Sequence, residues 1–142
     1  MKYFVDTNVF LRVLIKENDK SYQQCLLFLE AIKTGKISGV TAGIVIAEII
    51  WTLTSLYKID KTKTIDIVRG VINLHGLKII DQYDHQFALD LYAKTNVKYI
   101  DSVINSIEEI RTKKWAIVSY DKDFDKLDVI RKEPNQILGF HK

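Results

Sequence analysis

Apolar and polar positions in this 142-residue chain switch repeatedly between an extended and a helical period. Residues 2–5 read as a short strand ending at Asp6. Asn8 can cap a helix to about Lys16, and Asp19 can cap the next. In that second helix Cys25, Leu26, Phe28, Leu29 and Ile32 recur at helical spacing until Gly35 stops it. The pattern then predicts a strand over 37–40 and a long helix from Thr41 to about Tyr57. Asp60 opens a helix with Ile65, Val68 and Ile72 inward, ended by Gly76. Residues 77–80 read as a strand of alternating or fully buried type, and Asp84 caps a helix to about Ala93. Tyr99-Ile100-Asp101 leads into a helix to about Lys113, followed by a strand over 115–119. Residues 121–127 form a turn or one helical turn, and 137–140 a last strand. Strands alternating with helices of crossover length predict an α/β fold, a central parallel sheet flanked by helices on both faces. One domain spanning 1–142 is expected.

Composition narrows the class. At 47% apolar and 27% charged, with one proline, the chain is neither disordered nor low-complexity. The single Cys25 excludes a disulfide framework and a cysteine-based zinc site, and fits a reducing cytosol. His75, His85 and His141 lack ligand spacing and read as surface or core residues. Asp6 and Arg12 interrupt any signal-peptide core. Residues 37–57 are long enough to cross a bilayer, but Glu48 sits near their middle among several small polar residues. A buried helix without a membrane role, in a cytoplasmic protein, is the expectation. The net charge is +3, and its whole excess lies in 111–142, which hold eight basic and five acidic residues. That permits a polyanionic partner.

In open parallel sheets, ligands bind beyond the carboxyl ends of the strands. The residues there are acidic. Asp6 follows the first strand, and Asp121 follows the strand over 115–119, with Asp123 and Asp125 close behind. Asp101 opens a helix, and Glu48 interrupts an apolar one. Taken singly, each aspartate reads as a turn or capping residue. Glu48 must be paired, protonated or metal-bound if its helix is buried. Three acids after strands and one in an apolar helix are not explained together by capping. Crowded carboxylates resist ionising, and a hard divalent cation removes the conflict. An oxygen-only donor set argues for Mg²⁺ or Mn²⁺. The corresponding chemistry is phosphoryl transfer, in which the ion acidifies a water and stabilises the leaving oxygen.

Tyr3-Phe4-Val5-Asp6-Thr7-Asn8 resembles the opening motif of PIN-domain ribonucleases. Ala47-Glu48-Ile49-Ile50-Trp51 resembles their Glu-bearing helix, and Tyr99-Ile100-Asp101-Ser102 their third acidic motif. Ser119-Tyr120-Asp121, followed by Asp123-Phe124, resembles their Ser/Thr-x-Asp turn. The ordered set covers about the whole chain, and its size is similar to VapC-type toxins of toxin–antitoxin pairs. The resemblance implies a Mg²⁺-dependent endoribonuclease, a homodimer held inactive by a small antitoxin. It makes Asp6 and Asp101 the principal metal ligands, with Glu48 and Asp121 completing the pocket directly or through water. Asn8 and Ser119 would orient the acids, Thr7 would assist, and Asp123 could replace Asp121 as the fourth acid. Asn105 departs from the small apolar residue many relatives carry there.

Two rival readings fail on their motifs: a receiver domain wants an acidic pair after the first strand, where Asp6 stands alone, and a haloacid-dehalogenase phosphatase an Asp at position 8, where Asn8 stands. A catalytically silent PIN-like RNA-binding or interaction protein keeps the fold without the chemistry. A metal-dependent DNA nuclease uses the same acids. The clusters Lys58, Lys61, Lys63 and Arg111, Lys113, Lys114 could contact phosphates or simply be solvated.

Overall fold

Five short extended runs pair side by side: β1 (Lys2–Val5), β2 (Gly39–Ala42), β3 (Leu77–Ile80), β4 (Trp115–Val118) and β5 (Arg131–Lys132). The computed structural model describes residues 1–16 and 19–139. The sheet is parallel throughout, in the order β3-β2-β1-β4-β5. The longer helices are α1 (Thr7–Ile15), α2 (Asp19–Lys33), α3 (Gly43–Trp51), α4 (Lys61–Ile72) and α5 (His85–Lys94). Shorter ones are α6 (Tyr99–Asn105), α7 (Glu108–Arg111) and α8 (Pro134–Leu138).

Topology sets where a ligand can bind. The chain leaves β1 through α1 and α2 to reach β2, and leaves β2 through α3 and α4 to reach β3, moving the same way across the sheet. From β3 it returns through α5, α6 and α7 to β4 on the far side of β1. Right-handed crossovers in opposite directions place the two helix sets on opposite faces. Accordingly α1 packs on α2 and α3, while α5 packs on α6 and α6 on α7. The direction changes between β1 and β4, whose carboxyl ends therefore flank a crevice. The Asp6 N–H donates to the Val118 carbonyl at 3.0 Å, joining the two strand ends. Beneath them lies a core of Phe4, Phe10, Phe28, Ile32, Ile117 and Phe124.

Several boundaries differ from the sequence expectation. Asp6, not Asn8, caps α1, accepting the Thr7 N–H at 2.8 Å. The second strand lies two residues later than expected, because Ile37 is held in the turn after α2 by its N–H to the Ala31 carbonyl. Thr41 is thus inside β2, and its hydroxyl donates to the Val5 carbonyl at 2.9 Å instead of capping a helix. Asp81 takes over that task, accepting the Gly43 N–H at 3.0 Å. The long helix ends as a π-helical turn over Thr52–Leu56. α4 buries Thr64, Val68 and Val71, leaving Ile65 and Ile72 exposed. Its last helical residue is Ile72, and Gly76 instead occupies the turn into β3. β3 is an edge strand, exposed at Lys78 and Ile79, and so neither alternating nor buried. The helix expected to run to Lys113 breaks at Ser106, whose hydroxyl turns back to the Val103 carbonyl at 2.6 Å. The last strand expected over 137–140 is instead helix α8, started by Pro134 and a capping box of Glu133 and Gln136. Phe140 and the capping side chain of Asp19 lie outside the described residues. No described helix is long and apolar enough to cross a membrane.

Two glycines test this packing. Gly35 and Gly76 both adopt left-handed backbone, at φ 82° and 86°. A methyl group at Gly35 meets nothing within 4 Å, whereas at Gly76 it strikes the Ile32 backbone carbonyl. Gly35→Ala should therefore cost about 1–2 kcal/mol, the left-handed penalty alone. Gly76→Ala should cost at least ~1 kcal/mol more through overpacking. Urea midpoints decide it, and equal losses would show that the α2–β3 contact yields freely.

Candidate active site

Asp6 leaves β1 straight into the crevice. It is buried, 5% exposed, and its two oxygens are held differently. Oδ1 accepts the Thr7 N–H. Oδ2 accepts the Ser119 hydroxyl at 2.6 Å and the Asn8 amide at 3.3 Å. Ser119 in turn accepts from Asn8 Nδ2 and from the Asp121 N–H, both at 3.0 Å. Asn8 Oδ1 accepts the Tyr120 N–H at 3.1 Å. Asp6, Asn8 and Ser119 thus tie the end of β1 to the end of β4.

Glu48 reaches the same place from α3. That helix buries Val45 and Ile49, one turn apart, and the following turn continues the stripe with Leu53. The registration turns Glu48 toward α1, where Oε1 accepts the Thr7 hydroxyl. Its helix is not enclosed all round, since Ile50 and Trp51 are exposed.

The other acids come from β4 and α6. Asp121 caps a 3-10 turn over Lys122–Lys126 by accepting the Asp123 N–H at 2.9 Å. Asp101 lies in the first turn of α6 and is 2% exposed. Asp101, Asp121 and Asp123 each offer an oxygen within 4.8 Å of the others. Asp6, Glu48, Asp101 and Asp121 together line one cavity of about 180 Å³, with Thr7, Asn8, Leu11, Thr52 and Lys98.

All the acids singled out in the sequence except Asp125 therefore meet. Asp125 faces away and binds Arg131 through two hydrogen bonds, at 2.9 and 3.2 Å. The tightest cluster around Asp101 is with Asp121 and Asp123, not with Asp6. Asn105 is buried behind Asp101, and its Oδ1 has no partner among the described residues. The two basic clusters do not reach the pocket. Lys113 and Lys114 precede β4, at the end opposite Asp121, and Arg111 pairs with Asp84 at 3.7 Å. Lys98, passed over in the sequence, is the lysine that does reach it, 3.6 Å from Asp121 Oδ2. Its only sequence signal is its place one helical turn before Asp101.

The electrostatics are those of too many anions in too little water. Burial lifts the Asp6 pKa to about 6, with Glu48 and Asp121 adding to the rise, against the Ser119 and Thr7 hydrogen bonds. Burial also lifts Asp101 to about 7, where Lys98 opposes the rise while Asp121, Asp6 and Asp123 reinforce it. Asp101 Oδ2 is buried with no hydrogen-bond partner among the described residues. An unpaired buried carboxylate oxygen beside other carboxylate oxygens fits a hard divalent cation.

A family model described as the PIN domain matches residues 3–130. VapBC2 from Rickettsia felis, bound to a DNA fragment from its promoter, has a chain of similar fold. It matches with TM-score 0.65 and 19% identity, over 94% of this chain and 98% of that one. PAE2754 from Pyrobaculum aerophilum matches with TM-score 0.66 and 13% identity, over 99% and 88%. Among curated proteins none matches in sequence.

The raised carboxyl pKa values make stability depend on pH. In metal-free protein the folded state holds protons on Asp6 and Asp101 that the unfolded chain, with carboxyls near 3.8, releases. Stability contributed by these two groups is thus present below about pH 4 and lost as pH rises through about 6 and 7. Thermal melts in EDTA should show the melting temperature falling across that window in wild type. The fall should be smaller in the double variant Asp6→Asn, Asp101→Asn. An identical slope in both would place the titration elsewhere.

Proposed function

The chain belongs to the PIN-domain family, and on that footing we propose that it is a divalent-metal-dependent endoribonuclease, the toxin of a toxin–antitoxin pair. The observation that carries this is the partnerless Oδ2 of buried Asp101 in a pocket shared with Asp6, Glu48 and Asp121. PIN domains are generally metal-dependent nucleases. Asp6 and Asp101 would be the principal ligands of Mg²⁺ or Mn²⁺, with Glu48 and Asp121 acting directly or through water and Asp123 beside them. The ion supplies Lewis-acid stabilisation of charge at phosphorus and a more acidic water.

The chain's own residues prepare for that. Ser119, Asn8 and the Thr7 N–H fix the Asp6 carboxylate before any ligand arrives. Such preorganisation avoids reorienting the group during reaction. The Thr7 hydroxyl does the same for Glu48. A protein partner is supported by exposed apolar surface. Exposed Ile50, Ile65 and Ile72 line a groove of about 530 Å³ between α3 and α4, with buried Val68 at its floor. Surface of this kind is commonly covered by another protein. A homodimer and a small antitoxin belong to the proposal, as does a cytoplasmic location. An antitoxin Arg or Lys entering the pocket would pair with Asp6 or Asp101.

Purified protein assayed on single-stranded and structured RNA, with DNA in parallel, tests the activity. Asp6→Asn and Asp101→Asn should each slow RNA cleavage by ~10²-fold or more. Both variants should still fold, since each removes a crowded charge. Asp90→Asn, on the exposed face of α5 where Asp90 accepts from Gln86, should leave activity unchanged. EDTA should abolish cleavage, and Mg²⁺ or Mn²⁺ should restore it. Cleavage persisting in EDTA, or preference for DNA, rejects the proposal. Light scattering should report a dimer. Expression alone should arrest growth, relieved by the product of a short neighbouring reading frame.

A further inference from the structure

Lys98 occupies a position that local structure does not explain. It is the N-cap residue of α6, yet its side chain makes no capping hydrogen bond. Asp residues do that work for α1, α4 and α5. The Lys98 carbonyl accepts from the Asp101 and Ser102 N–H groups at 3.0 and 3.3 Å, so its backbone is fixed one turn from Asp101. The side chain is 60% exposed and runs along the pocket mouth. Its ammonium stands 3.6 Å from Asp121 Oδ2, beyond direct hydrogen-bond distance. Elsewhere Lys126 meets Asp123 at 3.1 Å and Lys113 meets Asp128 at 2.6 Å. The Lys98 pairing is loose by comparison. Partial burial pulls the Lys98 pKa down, but Asp101, Asp121, Glu48 and Asp6 carry it above the ordinary value. It therefore feels four acids of the site.

We propose that Lys98 is a built-in counter-cation of the acidic pocket, displaced from Asp121 by the divalent ion and then engaging a phosphate oxygen of the nucleic acid. This rests on the nuclease proposal and adds a substrate contact to it. The charges give the reason. Four carboxylates and one divalent cation leave the pocket negative, which repels a phosphodiester. A cation is needed at the mouth, and Lys98 supplies it there. A lysine suits the task, because its long stem lets a compact point charge move between partners. Loss of the ammonium then acts in opposite directions on the two ligands. The divalent ion meets less repulsion and binds more tightly, while the phosphate loses a contact.

Lys98→Met keeps the length and removes the charge, and the exposed position spares the core. Mn²⁺ alone, titrated by electron paramagnetic resonance without nucleic acid, should bind Lys98→Met about threefold to tenfold more tightly than wild type. A short labelled single-stranded RNA, followed by fluorescence anisotropy with Ca²⁺ in place of the cleavage-supporting Mn²⁺ and the probe checked intact on a gel, should bind it more weakly. The salt dependence should lose about 0.7 of a log unit per log unit, the share of one phosphate contact on a single strand. Lys98→Arg should restore the RNA affinity and salt slope. Lys36→Met, at the amino end of β2 and away from the site, should change neither ligand. Weaker or unchanged Mn²⁺ binding in Lys98→Met, or an unchanged salt slope, overturns the role of Lys98 and leaves the nuclease proposal standing. A wild-type protein that binds no Mn²⁺ overturns both.

Discussion

Two buried carboxylates lining one pocket are the constraint around which the crevice is organised. Asp6 and Asp101 are almost wholly removed from water; burial raises both pKa values, and Asp6 adds to the rise at Asp101. Burial of an ionised carboxylate is costly unless hydrogen bonds or opposite charge compensate it. The chain meets the cost unequally. Asp6 receives three hydrogen bonds, from Thr7, Asn8 and Ser119. Among the described residues the Asp101 charge is compensated by the more distant Lys98, and Oδ2 has no hydrogen-bond partner.

Sheet order explains how residues so far apart in sequence arrive together. β1 lies at the centre, and the direction of strand addition reverses between it and β4. The residues just beyond those two strands, Asp6 and Ser119 to Asp121, therefore share one crevice. The Asn8–Ser119–Asp6 hydrogen bonds then make the crevice rigid, because each member bonds across the gap between the strand ends. Glu48 is added by the α1–α3 contact and Asp101 by α6 from the other helix set. The pocket is where elements of both faces meet.

What the sequence revealed follows from the range of the interactions involved. The alternation of strands and helices predicts the parallel sheet, since each element carries its own period. Asp6, Asp101 and Asp121 were legible because they adjoin element ends, and Glu48 because it interrupts apolar residues. Thr41 misled because a hydroxyl before an apolar run looks like a cap, while its partner is the Val5 carbonyl on the neighbouring strand. At the carboxyl terminus the local signal was present. Glu133-Pro134-Asn135-Gln136 carries a capping box with proline at the first helical position, and the apolar Ile137 and Leu138 obscured it. Lys98 is barely legible, because its place one helical turn before Asp101 is its only local mark. Only the tertiary structure brings it to Asp121.

The acids differ in how far structure alone accounts for them. Asp6 caps α1 and Asp121 caps the 3-10 turn, so each would earn its place without any ligand. Glu48 is satisfied in part by Thr7, and Asp123 by Lys126. Asp101 has no such account. It sits in the first turn of α6, where a helix dipole offers a carboxylate up to about 2 kcal/mol, less than the several kcal/mol of burying an ionised group. It is nonetheless buried among like charges, with an unpaired oxygen. An asparagine there would remove the repulsion and keep the size. A stability cost at a position with no compensating structural task is the signature of a residue retained for a ligand. The case for a cation site thus rests on Asp101 more than on the number of acids around it.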